Sequence, residues 1–122
     1  MNCPVCKEPL IVLEYEKIET DYCTNCGGMW LDAEELELLT ENKISAAHIF
    51  HPVRKKIEEK TYNCPRCSKK MDKKVALDNI IIDSCSRGHG YWFDKGELLE
   101  IIKTNPSEIN LVKKFLFDLL KT

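Results

Sequence analysis

Seven cysteines in 122 residues constrain this chain more than any other feature, because they fall into a repeat and not a scatter. The stretch CPVC at Cys3 and Cys6 recurs as CPRC at Cys64 and Cys67, an offset of 61. Farther along, Cys23 recurs as Cys85, Trp30 as Trp92, Asp32 as Asp94, Glu35 as Glu97 and Leu36 as Leu98, all at an offset of 62. One residue has therefore been gained between the knuckles of the second copy. In this register Cys26 falls opposite Gly88, and Gly27 falls opposite His89. The second copy, CSRGHG, has exchanged a thiol for an imidazole one place farther on.

Those side chains share one chemistry. A structural zinc ion takes four thiolate or neutral imidazole ligands in a tetrahedron. A CxxC turn aims two sulfurs at one point. Imidazole reaches farther than a thiol, so CxxxH with glycine on both sides of the histidine lets the backbone stand back. The inventory then closes with every cysteine used once. Site one is Cys3, Cys6, Cys23 and Cys26; site two is Cys64, Cys67, Cys85 and His89. The expected cofactor is zinc, two ions per chain. Buried or free thiols are the plainer alternative, but two repeated knuckles with a completing histidine favour metal. CPVC and CPRC also have the form of thioredoxin-like redox motifs, yet such a motif needs no second knuckle downstream. An odd number of cysteines suits a reducing compartment, where clustered thiols bind metal. The chain therefore reads as cytoplasmic. No apolar run approaches the roughly 18 to 20 residues of a membrane span, and the start MNCPVCKEPL has no signal-peptide pattern.

Between the knuckles the sequence predicts hairpins. Leu10 to Tyr15 and Ile18 to Tyr22 are rich in β-branched and aromatic residues, with Glu16-Lys17 as the turn. KKVALDNIIIDS reads as strand, Asp78-Asn79 turn, strand. Each copy then runs Trp-apolar-Asp-x-x-Glu-Leu. Asp32 with Glu35, and Asp94 with Glu97, predict helix N-caps in which the glutamate folds back to the cap amide. Capping explains these carboxylates more cheaply than catalysis. Leu36, Leu39, Leu98 and Ile101 would form the buried stripe of the short helices. Trp30 and Trp92 read as lids over each ribbon's small core, in preference to base-stacking platforms.

With CPxC and then GGMWLDAEEL in the first copy and GHGYWFDKGEL in the second, the chain resembles the small zinc ribbons of the transcription factor IIB type. The resemblance covers about two-thirds of the chain. It implies zinc binding and a ribbon followed by a helix; it implies little about activity. His89 departs from the all-cysteine pattern. The expected fold class is a small, metal-stabilised α+β protein: tandem zinc ribbons, each followed by a short helix, plus a C-terminal amphipathic helix. Residues 1–41 form the first ribbon, 42–61 a partly helical linker, 62–104 the second ribbon and 105–122 the terminal helix.

In the linker, Ala46 to Phe50 is expected to form a helical turn and Pro52 to open a second helix, with Val53 and Ile57 on one side. His48 and His51 have no cysteine left to join and read as ordinary surface or packing residues. In the tail, Asn105, Pro106 and Glu108 start a helix whose stripe, Ile109, Val112, Leu116 and Leu119, is widened by Phe115, Phe117 and Leu120. That stripe packs across both ribbons or meets a second chain, and a dimer contact is the favoured expectation.

Charge is uneven. Residues 1 to 50 carry three Lys or Arg against ten Asp or Glu, whereas 51 to 74 carry nine against three. Seven thiolates and two divalent ions bring the whole to about minus five. Four protein ligands per ion leave no open position for water or substrate, and there is no nucleophile motif or phosphate loop. The sequence thus points to a non-enzymatic module acting in protein–protein interaction or assembly, through its tail and ribbon surfaces. The alternative is nucleic-acid binding by the basic segment 54–74, with Tyr62 for stacking. A thiol redox or metal-handling role ranks third. No membrane partner or small-molecule substrate is indicated.

Overall fold

A computed structural model describes residues 1–15, 18–35, 50–53, 60–76 and 80–97. Within them the chain is antiparallel sheet. The first copy supplies β1 (Ile11–Tyr15), β2 (Ile18–Tyr22) and β3 (Met29–Asp32). A segment between the copies supplies β4 (Phe50–Pro52). The second copy supplies β5 (Asp72–Ala76), β6 (Ile80–Ser84) and β7 (Gly90–Phe93). Both expected hairpins are present. β1 pairs with β2 from Ile11↔Tyr22 to Tyr15↔Ile18, and β5 with β6 from Asp72↔Ser84 to Ala76↔Ile80. β5 lies at an offset of 61 from β1 and β6 at 62 from β2, so the residue gained by the second copy sits in its hairpin connection.

The copies are joined by backbone. The strand order is β1-β2-β3-β7-β6-β5-β4, one seven-stranded sheet. At its centre β3 pairs with β7: Met29↔Phe93, Trp30↔Trp92 and Leu31↔Tyr91. Trp30 and Trp92 are repeat equivalents, and so are Met29 with Tyr91 and Leu31 with Phe93. The register is therefore its own mirror under exchange of the copies, which is the signature of a two-fold contact between like surfaces. The chain is an internal pseudo-dimer whose axis passes between its two tryptophans.

Three expectations need correction. The third strand of each ribbon was not anticipated: Met-Trp-Leu-Asp and Gly-Tyr-Trp-Phe each pair with their own hairpin on one side and with each other on the other. Helix among the described residues is confined to the starts at 33–35 and 97, and the expected stripe of Leu36, Leu39, Leu98 and Ile101 lies outside the described residues. Nor are the tryptophans lids over their own ribbons. Both are completely buried in one core with Cys3, Cys23, Cys64, Cys85 and Met71, between the copies. Finally, Phe50 and Pro52 are not helical. They lie in β4, with Phe50↔Ala76, His51↔Val75 and Pro52↔Lys74. Proline is tolerated there because β4 is an edge strand among the described residues. The remaining helical expectations for the linker, and the whole terminal helix at 105–122, lie outside the described residues.

Candidate metal centres

Each first knuckle is a tight turn built by the backbone. The Lys7 amide donates to the Cys3 carbonyl at 2.9 Å, and that of Ser68 to the Cys64 carbonyl at 2.8 Å. Lys7 and Ser68 take positive φ, 67° and 63°. The second knuckles differ in a way that accounts for the histidine. In the first copy Gly27 closes the turn onto the Cys23 carbonyl with φ 79°, directly after Cys26. In the second copy Gly88 closes it onto the Cys85 carbonyl with φ 80°, directly before His89. Ligand-then-glycine has become glycine-then-ligand. The longer imidazole therefore enters from beyond the turn, and both copies rejoin at the same place: the Cys23 amide donates to the Gly28 carbonyl, and the Cys85 amide to the Gly90 carbonyl.

These turns bring the side chains together. Cys3, Cys6, Cys23 and Cys26 form one group and Cys64, Cys67, Cys85 and His89 another, with the ligand atoms of each group within 4.8 Å of one another. Cys3 Sγ lies 3.7 Å from Cys26 Sγ, and Cys67 Sγ 3.7 Å from Cys85 Sγ. A tetrahedron with zinc–sulfur bonds of about 2.3 Å places its sulfurs about 3.8 Å apart, so the donor sets fit the ion. The cysteines are not disulfide-bonded. Nδ1 of His89 faces Cys85 Sγ at 3.4 Å. Ligation through Nδ1 would leave the ring proton on Nε2.

N–H groups around both sites favour anionic sulfur. The Val5 and Cys6 amides donate to Cys3 Sγ at 3.4 and 3.3 Å, and the Arg66 and Arg87 amides to Cys64 and Cys85 Sγ, both at 3.4 Å. Asn25 Nδ2 donates to Cys6 Sγ at 3.1 Å. Such bonds stabilise thiolate. Burial acts against them: it pushes the Cys3 and Cys26 thiols up and Cys64 to about 11. Half-buried Cys67 is drawn down to about 6, first by the Lys69 amide. A divalent ion removes the conflict by supplying the missing positive charge.

The carboxylates after the knuckles behave differently in the two copies. In the second, Glu97 Oε1 accepts from the Asp94 amide at 2.8 Å, the expected fold-back to the cap. In the first, Glu35 instead accepts from the Glu19 amide of β2 at 3.0 Å. Both cap aspartates also receive an indole: Trp30 Nε1 donates to Asp32 Oδ1 at 2.9 Å, and Trp92 Nε1 to Asp94 Oδ1 at 3.0 Å. This W-x-D pairing satisfies the only polar atom of each buried tryptophan side chain. Its repetition at an offset of 62 was visible in the sequence, but its chemistry was not. The sulfur-bound amides and Asn25 carried no sequence signal at all.

Two four-donor groups, each set between knuckles joined by a hairpin, define a tandem zinc-ribbon protein. The chain belongs to the transcription factor zinc-finger family, which matches it twice, over residues 2–42 and 63–104. Comparison with curated proteins and with solved structures finds no match. Among the described residues no helix is long and apolar enough to cross a membrane.

Proposed function

We propose that Cys3, Cys6, Cys23 and Cys26 hold one structural zinc ion and Cys64, Cys67, Cys85 and His89 the other, and that the protein is a non-enzymatic module acting in protein–protein interaction or assembly. The observation that carries this reading is the closure of both donor sets. Four protein ligands satisfy a tetrahedral ion and leave no position at which water or substrate could be activated. The ions act as cross-links that hold the two hairpins against a shared core. On this reading residues 1–41 and 62–104 work as one unit, and the tail at 105–122 is the segment through which a partner or a second copy would be met.

The competing reading, nucleic-acid binding by 54–74, rests on the charge of that segment. Its aromatic support is weak. Tyr62 is half-buried with Lys60 and Lys73 ammonium groups 5.7 and 5.9 Å from its ring centre, and both tryptophans are inaccessible. Fluorescence titration of the zinc-loaded chain with single- and double-stranded oligonucleotides, at 50 and 200 mM salt, separates the two. Little affinity at either salt is the expected result. Tight binding that falls steeply with salt would replace the interaction reading with the nucleic-acid one.

A further inference from the structure

The two copies treat one sheet edge differently. β5 is covered on its outer side by β4, while β1, its repeat equivalent, has no strand on its outer side among the described residues. An uncovered edge is a template for another strand. The backbone direction of this edge follows from one hydrogen bond. The Glu19 amide donates to Glu35, away from β1, although Glu19 stands opposite Glu14. Glu14↔Glu19 is therefore a non-hydrogen-bonded pair. By the alternation of antiparallel ladders Val12↔Asp21 is another, so the amides and carbonyls of Val12 and Glu14 point outward. The edge also carries apolar side chains in water: Ile11 is 44% and Val12 60% exposed.

Charge identifies what would pair there. Val12, Glu14, Glu19 and Asp21 share one face of the sheet, since Val12 stands opposite Asp21 and Glu14 opposite Glu19. Their counterparts in the second copy are Lys73, Val75, Ile81 and Asp83. There Lys73 Nζ meets the buried Asp83 carboxylate at 2.7 Å. In the first copy valine replaces that lysine, and two further carboxylates replace Val75 and Ile81. A second copy of this chain, pairing β1 with β1, would bring like charges together.

We propose that the outer edge of β1 is a strand-addition site for an extended segment of a partner protein in which apolar residues alternate with lysine or arginine. The basic residues lie on the face of Glu14 and Asp21, and the apolar ones beside Ile11 and Leu13. Main-chain bonds to Val12 and Glu14 supply affinity, and the alternation supplies specificity. The covering of β5 by β4 is the precedent within the same molecule. This proposal rests on the interaction reading above and names the partner's chemistry.

The test uses the full zinc-loaded chain and two labelled nine-residue peptides, one alternating Val with Lys and one alternating Val with Glu. The lysine peptide binds, weakens with salt, and slows hydrogen exchange at the Val12 and Glu14 amides; the glutamate peptide does not bind. Val12→Pro removes one outward donor without touching the β1–β2 ladder, and lowers affinity at least tenfold. Glu14→Lys, which alters no backbone group, lowers it at least fivefold and serves if the proline variant loses zinc. Wild-type affinity in both variants overturns the proposal, as does failure of the lysine peptide to bind. Self-association of the unliganded chain that Val12→Pro abolishes also overturns it, by making a second copy the occupant. None of these outcomes bears on the oligonucleotide titration, so the two readings fail separately.

Discussion

The indole of Trp92 occupies the space that a side chain at Gly28 would need: a Cβ built on Gly28 would stand 2.2 Å from Trp92 Cζ2. The repeat equivalent holds across the axis. A Cβ on Gly90 would meet the Leu31 carbonyl at 2.3 Å and Trp30 Cζ2 at 2.8 Å. Each copy thus provides a glycine floor for the other copy's tryptophan, and the two contacts clamp β3 against β7.

Gly28→Ala is expected to destabilise the protein by about 3 kcal/mol, since the ring cannot retreat from a packed core without opening the central strand pair. Gly90→Ala should cost at least as much, because the obstacle there includes backbone. Urea denaturation of the zinc-loaded variants measures both. A cost under about 0.5 kcal/mol for either would show that the clamp is not tight.

Zinc removal should dismantle both copies together. Ribbons of this size cannot bury enough apolar surface alone, and structural zinc contributes about 10 to 16 kcal/mol of apparent binding energy. With a strong chelator, the fluorescence of the buried tryptophans is expected to shift to the red in step with loss of sheet circular dichroism, and zinc should restore both. A metal-free protein that keeps its tryptophan emission unchanged would contradict the cross-link role.

Cys67→Ala should leave one tightly bound ion by elemental analysis and lower the stability of the whole sheet, because the copies share a core. His89→Cys should bind the second ion more weakly than the parent. A thiol placed after the Gly88 turn falls short of the point that Nδ1 reaches, and the first copy uses cysteine only before its turn glycine. Two ions retained tightly by Cys67→Ala would refute the second ligand set.

Thr20 offers a test in the opposite direction. Its Oγ1 is buried and has no hydrogen-bond partner among the described residues, and its counterpart in the second copy is the buried Ile82. Thr20→Val keeps the shape and removes the unsatisfied hydroxyl, so a gain of about 1 kcal/mol is expected. A loss of stability in thermal unfolding would mean that the hydroxyl is satisfied in solution.

Much of each ribbon was legible because it is local. Knuckle spacing, β-branched runs and short turns act within about 20 residues, so the four hairpin strands and both donor groups could be read from the chain itself. The repeat carries some contacts from one copy to the other, as the two W-x-D bonds show. Glu35 marks the limit of that reasoning. It stands three residues after its aspartate and just before a leucine, as Glu97 does, but it reaches the β2 amide and not its own cap, so the shared spacing did not decide its partner.

What the sequence determined by itself is where the donors stand and how far apart the hairpins hold them, since ligand spacing and turn chemistry act over a few bonds. Only the tertiary structure decided that Met29–Asp32 and Gly90–Phe93 become strands, that Trp30 faces Trp92, and that Pro52 closes an edge. Four-residue runs have too little intrinsic preference to settle their own conformation. On one side each pairs with its own hairpin, but on the other its backbone groups take partners supplied by a segment about 60 residues away, and no local pattern encodes that meeting.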